Sequence, residues 1–253
     1  MRMHLLSGGR LRMRRFLYYP DAPREETIDL PVSCALFKHP QGNVLFDTGC
    51  HPSVADDAEG RWGSLARALV PIFEAREAVT AQLPLAGLAA DDIDVVICSH
   101  LHLDHCGCNG FFRKATVLCH AREMEVALSP EARANGYFRI DWDNDRPVET
   151  FEAQRDLFGD GRLTLLPMPG HTPGMTTLHA ALDRDGAFLL ASDAAAVREN
   201  LDQRYAPRNT WNIDLAVNAL DEIARFRRDG ATVLFGHDDA QWRDIRKGAA
   251  FFE

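Results

Sequence analysis

The densest chemistry in the chain lies between Ser99 and Gly107, which read SHLHLDHCG. Within that stretch His100, His102, Asp104 and His105 fall inside six positions. Imidazole and carboxylate are both good ligands for zinc and similar divalent ions. In an extended loop, side chains two apart point the same way, so His100 and His102 can grip one ion. Asp104 and His105 follow a turn later and can face a second. A lone histidine is usually an ordinary core or surface residue. Four ligand-type side chains this close together, directly after an apolar run, point instead to a metal centre.

The elements that must hold such a centre are short apolar runs. Val32 to Lys38 (VSCALFK) reads as a strand, and Val44 to Phe46 returns from it after the turn HPQGN. Ile93 to Cys98 is an apolar run bounded by polar residues, as a buried strand requires. Thr116 to Cys119 and Leu163 to Leu166 read as further strands, and Thr176 to Leu182 pairs with Ala187 to Ala191 around the turn DRDG. Asp214 to Arg228 carries helical spacing and is followed by Gly230, a helix-ending residue; Thr232 to Phe235 gives a last strand. Strands alternating with helices indicate a layered α/β protein. Four of the apolar runs stop at a His or Asp: His100, His171, Asp193 and His237. Strand ends are where a sheet presents chemistry, because the buried run fixes the loop after it. Residues 52–90 and 121–160 lack a clear period and are expected to be helical or irregular, forming lids or substrate walls.

Composition narrows the class. The 253 residues are 46% hydrophobic and 26% charged, with a formal charge of -9. That suits a globular protein with one domain over residues 1–253. The acidic balance argues against a nucleic-acid partner. No apolar run is long enough to span a membrane, and MRMHLLSGGRLRMRRF lacks the apolar centre of a signal peptide, so a cytoplasmic location is expected. Cys34, Cys50, Cys98, Cys106, Cys108 and Cys119 are then expected to be reduced. Cys106 and Cys108 flank the histidine cluster but read as small packing residues. Trp62 and Trp142 lie in the irregular segments, where one could line an apolar pocket. A homodimer is compatible with the sequence.

HLHLDH resembles the HxHxDH signature of the metallo-β-lactamase superfamily, and PGHTPG, SDA and FGHD fit its later elements in order and spacing. Among its branches, SHLHLDHCGCNGFF, MPGHTPG, DAAAVREN and GHDDAQWRDIRKGAAFFE most resemble the N-acyl-homoserine lactonases. The resemblance implies a four-layer αβ/βα fold, with two mixed β-sheets sandwiched between helices. It implies two divalent metal ions, with zinc the default and manganese, cobalt or iron as alternatives. His100, His102 and His171 would hold the first ion, Asp104, His105 and His237 the second, and Asp193 would bridge them. Asp104 and Asp193 would be the catalytic carboxylates. The implied activity is opening of a small-molecule lactone by a metal-bridging hydroxide. The alternatives are hydrolysis of another lactone, ester or thioester in the manner of glyoxalase II, or iron-dependent redox chemistry on the same fold. Asp47, in FDTG, would orient a metal-binding His, although a turn-forming Asp beside Gly49 explains it as well. Many homoserine lactonases carry a Tyr three residues after the bridging Asp, where this chain has Ala196. Lactone turnover is then expected to rest mainly on metal polarisation of the carbonyl, with Tyr205 or Tyr137 as alternative donors from a neighbouring loop.

Overall fold

The computed structural model describes residues 1–143 and 147–253. Its first sheet is built from β1 (Arg2–Arg14), β2 (Thr27–His39), β3 (Gly42–Phe46), β4 (Val70–Pro71), β5 (Val95–Ile97), β6 (Thr116–His120) and β7 (Val148–Phe151), in the order β4-β1-β2-β3-β5-β6-β7. β1 to β4 pair antiparallel, whereas β3, β5, β6 and β7 run parallel to one another. The second sheet has β8 (Arg155–Asp156), β9 (Leu163–Pro167), β10 (Thr176–Leu182), β11 (Gly186–Ser192) and β12 (Thr232–Phe235), in the order β12-β11-β10-β9-β8. Only β11 and β12 are parallel there among the described pairs.

Adjacent residues in the inner strands serve different layers. Phe37, Val44, Ile97 and Leu118 pack between the sheets against Leu165, Leu178, Phe188 and Leu190. Their neighbours Leu36, Leu45, Val96 and Val117 point the other way, onto Val79, Leu83, Phe112 and Ala127. On the far side, Leu189, Ala191, Val233 and Phe235 pack on Ala219, Leu220 and Ile223 of helix Ile213–Arg228. Strands with two buried faces carry continuous apolar runs, and these do. The result is the expected four-layer sandwich. The helix starts with the Asn212 side chain accepting from Leu215 N–H at 3.0 Å, and it carries Arg225, Arg227 and Arg228 in its last turn, where cations favour the dipole. No helix among the described residues is long and apolar enough to cross a membrane.

One large element has no signature in the sequence. β1 spans thirteen residues but is rich in Arg and Gly, so it does not read as a strand. Its glycines explain why. Cys50 N–H donates to the Gly8 carbonyl at 2.8 Å, which brings the backbone of residues 47–50 against β1. Gly49 has φ +70°, and a Cβ there would stand 2.4 Å from Gly8 Cα. The β1–β2 register shifts between Ser7 and Arg10 to accommodate the approach. Of the two stretches expected to be helical or irregular, 52–90 folds as short helices and turns apart from β4; in 121–160, residues 121–143 do the same, 144–146 lie outside the described residues, and β7 and β8 correct the expectation by pairing with β6 and β9.

Gly49→Ala should therefore lower stability by about 2–4 kcal/mol in urea unfolding, from positive φ plus backbone collision. Gly87→Ala is the control. Its φ is +71°, but a Cβ meets nothing within 4 Å, so only the smaller conformational cost of about 1 kcal/mol should appear.

Candidate metal centre

The loop after β5 carries His100, His102, Asp104 and His105; His171 follows β9, Asp193 follows β11, and His237 follows β12. These loops emerge at one edge of the sandwich, and Thr176 N–H donates to the Ser99 carbonyl across the two sheets at 2.9 Å. Ligand-type atoms gather in three overlapping groups: His100, His102 and His171; His100, His105 and Asp193; Asp104, His105 and His237. Within each, the candidate atoms lie within 4.8 Å of one another.

Asp193 faces both sides of the cluster. Its Oδ2 lies 3.2 Å from His171 Nε2, and its Oδ1 lies 2.9 Å from His237 Nε2 and 3.4 Å from His105 Nε2. Asp104 Oδ2 stands 3.7 Å from His105 Nε2 and 3.8 Å from His237 Nε2. His102 Nδ1 is 3.0 Å from His100 Nε2 and 3.1 Å from His171 Nε2. Asp193 Oδ1 and His105 Nε2 are buried without a hydrogen-bond partner. A buried polar atom normally finds a partner. Here the lone pairs converge on shared points rather than on each other, which is the arrangement a cation requires.

The outer ring nitrogens are held so that the inner ones face the centre. His237 Nδ1–H donates to the Pro31 carbonyl at 2.8 Å, and His102 Nε2–H to the Asn135 carbonyl at 3.1 Å. His105 Nδ1–H donates to Asp47 Oδ2 at 2.9 Å. Such contacts set the tautomer and the ring orientation of a ligating histidine. Asp47 also accepts from Ser99 N–H at 2.7 Å and Ser99 Oγ–H at 2.8 Å, and Ser192 Oγ lies 3.3 Å from it. Asp47 and Ser192 adopt φ of +60° and +46°. That backbone costs about 1–3 kcal/mol each, and the network around the Asp47 carboxylate holds it in place.

Electrostatics divide the cluster in two. Burial pushes His171 down to about 4 and also lowers His100 and His102, so these imidazoles keep free lone pairs. Burial would lower His105 and His237 as well, but Asp104 and Asp193 overcome it and raise both. Burial would raise the Asp193 carboxyl, yet His237, His171 and His105 hold it well below the usual range. The two carboxylates thus demand positive charge at the centre, which protons or a metal cation can supply. The cysteines are core residues: all six are free and buried, and burial pushes the Cys98 thiol up to about 12.

The cluster floors a cleft of about 980 Å³, with Tyr18, Trp62, Leu65, Tyr137, Phe138 and Trp211 among its walls. Residues from 52–90 and 121–143 thus wall this cleft. Trp62 lines the cleft, while Trp142 packs in the core beneath the first sheet. Tyr137 meets His102 edge-on, with ring centroids 5.0 Å apart. Tyr205 does not reach the cleft. Its N–H bonds the Asn200 carbonyl at 3.1 Å, which turns the chain away, and its hydroxyl donates to the Tyr18 carbonyl at 2.5 Å. Tyr18, which nothing in the sequence marks, lines the cleft and shares a small buried cluster with Met13, Leu30, Ala196 and Val197.

Residues 27–237 match the family described as the metallo-β-lactamase superfamily. The chain belongs to that superfamily. Over its whole length it is 31% identical to N-acyl homoserine lactonase AttM of Azorhizobium caulinodans, covering 99% of that protein. It is 33% identical to N-acyl homoserine lactonase AiiB of Agrobacterium fabrum over 89% of this chain and 86% of that one. The solved structure of an N-acyl homoserine lactone hydrolase, with the product N-hexanoyl-L-homoserine bound at its catalytic metal centre, superposes with a TM-score of 0.88. That likeness covers 99% of this chain and 98% of the other at 24% identity, and it establishes the shared fold.

Asp193→Asn should keep the shape of the site but remove the charge that faces both groups. Elemental analysis should show metal content falling below that of the parent, more than for His179→Gln, a histidine outside the cluster. Wild-type metal content in Asp193→Asn would remove Asp193 from the ligand set.

Proposed function

We propose that this protein is a dinuclear metal-dependent hydrolase that opens the lactone ring of N-acyl-homoserine lactones. One domain over residues 1–253 is part of this reading. The mutual hydrogen bonds between Met3 and Phe252, at 2.8 and 2.9 Å, support it by tying the last residues back onto β1. The observation that carries the proposal is the two-sided contact of Asp193 at the floor of an apolar-walled cleft. Similarity to proteins named N-acyl homoserine lactonase, full-length in one case, supports the choice of substrate.

In this reading His100, His102 and His171 hold one ion, Asp104, His105 and His237 the other, and Asp193 both; the ions are zinc, two per chain. Bound divalent ions supply Lewis-acid polarisation of the ester carbonyl and a water-derived nucleophile at neutral pH. The remaining work falls to the chain. Asp104 lines the cleft floor beside Asp193, where its carboxylate can take a proton from water and return it to the departing alkoxide. Trp62, Leu65 and Phe138 give the acyl chain an apolar wall and exclude water.

Tyr18 supplies a phenol to the same cleft. It is 2% exposed, and its hydroxyl donates to Met13 Sδ at 3.4 Å, a weak acceptor that a substrate carbonyl can replace. Burial, with Asp193 and Asp104 nearby, raises its pKa well above the ordinary value, so the donor keeps its proton. The Tyr205 hydroxyl on the Tyr18 carbonyl steadies that position.

A hydrolysis screen tests the function. Lactones should open with release of one proton, and oxygen-18 from solvent should enter the new carboxylate. Removing metal with a chelator should abolish the reaction, and zinc should restore it. Thioester or phosphodiester turnover without lactone turnover would assign the chain another reaction. Tyr18→Phe should lower kcat on lactones tenfold or more, about 1.4 kcal/mol, with little change in KM. An unchanged kcat would leave Tyr18 as wall only.

A further inference from the structure

Among the described residues, Glu123 is the deepest carboxylate outside the cluster. It lies in the first turn of helix Ala121–Ala127 and exposes 0% of its surface. Its Oε1 accepts from Leu101 N–H at 3.1 Å, and its Oε2 accepts from Gly174 N–H at 3.0 Å. Leu101 sits between His100 and His102, and Gly174 lies three residues after His171. One carboxylate therefore ties together two loops that come from different sheets, and both loops belong to the same three-histidine group. The fit is close: a Cβ at Gly174 would stand 2.4 Å from the Glu123 nitrogen. Among the described residues, no lysine or arginine forms a salt bridge with Glu123.

A buried anion without a cationic partner is costly unless some other positive charge faces it. The two groups of candidate ligands differ in charge. His105 and His237 share their side with the Asp104 carboxylate, whereas His100, His102 and His171 offer only neutral nitrogens and one side of Asp193. A dication among three imidazoles would thus be the less neutralised of the two. Glu123 lies directly behind that group.

We infer that Glu123 is the positioning residue of the three-histidine half-site, locking its two loops together and supplying the buried negative charge that its ligands lack. This rests on the proposed reading of the cluster as two half-sites. Leu101 and Gly174 take part through backbone alone, so the role belongs to the Glu123 side chain and not to theirs.

Glu123→Gln tests the inference. The amide preserves the shape, removes the charge and can accept only one of the two N–H groups. Metal-free protein would be titrated with zinc against a chromophoric chelator, with thermal unfolding followed in parallel. The parent should take up two ions. The variant should bind one of them 10–100-fold more weakly, the usual effect of losing a contact behind the ligands, and the other unchanged. Two backgrounds identify the weakened ion. The effect should vanish in His171→Ala, which already lacks the three-histidine site, and persist in His237→Ala. Glu123→Asp, which keeps the charge, should recover part of the affinity, and it serves in place of the Gln variant should that one fail to fold. Parental affinity for both ions, or equal weakening of both, would overturn the inference. A parent that binds fewer than two ions would instead overturn the two-half-site reading beneath it.

Discussion

Asp193 turns Oδ2 to His171 and Oδ1 to His105 and His237, and this two-sided contact constrains both sheets at once. The histidines reach it from the ends of β5, β9 and β12, and Asp193 itself ends β11. A carboxylate spans only about 2 Å between its oxygens, so those strand ends must stay in register to within a fraction of an ångström. The packed layer between the sheets makes that possible, because Ile97, Leu165, Leu190 and Leu234 all belong to one buried cluster. Close-packed interiors transmit position rather than absorbing it. The catalytic edge therefore depends on the apolar core behind it, and the strained backbone at Ser192 is tolerated because both neighbours are fixed.

Two further buried carboxylates stand behind the cluster. Asp47 holds His105 and reaches Ser99 and Ser192, linking the loop after β5 to the end of β11. Glu123 links the loop after β5 to the loop after β9. The division of labour is by chemistry: Asp47 holds the His105 ring directly, whereas Glu123 grips backbone. Both place negative charge close to a centre that already demands positive charge. Desolvating such anions is expensive, and their N–H and O–H donors offset only part of that cost. A centre of this kind is stable where dications complete it.

The cleft shows the same economy of parts in a different form. Tyr18, from the segment after β1, lines the cleft and shares a buried cluster with Ala196. Tyr205 then secures Tyr18 by its carbonyl instead of entering the cleft. Two tyrosines distant in sequence thus meet, one hydroxyl bonded to the other's carbonyl at the edge of the cleft. The apolar walls come from the short helices that follow β3 and β6, segments whose irregular sequence suits them to shaping a pocket rather than a core.

The histidines and aspartates of the cluster were legible because metal ligation requires specific atoms, and only a few residue types carry them. HLHLDH puts four such residues in six positions, and the runs before His171, Asp193 and His237 are apolar enough to read as buried strands. The inner strands and the long helix were legible for a related reason: burial leaves a period in the sequence. β1 was not, since its Arg and Gly residues answer to Gly49 and to pairing with β2, contacts made with residues far along the chain. Tyr18, Glu123 and the withdrawal of Tyr205 were decided the same way. A phenol at position 18 or a carboxylate at 123 has no local spacing that marks it. Each acquires its surroundings only when folding brings the walls of the cleft, or the backbone of Leu101 and Gly174, within reach. Ligand identity is a property of side-chain chemistry and can be read along the chain; support for the ligands is a property of proximity, which the packed layers alone create.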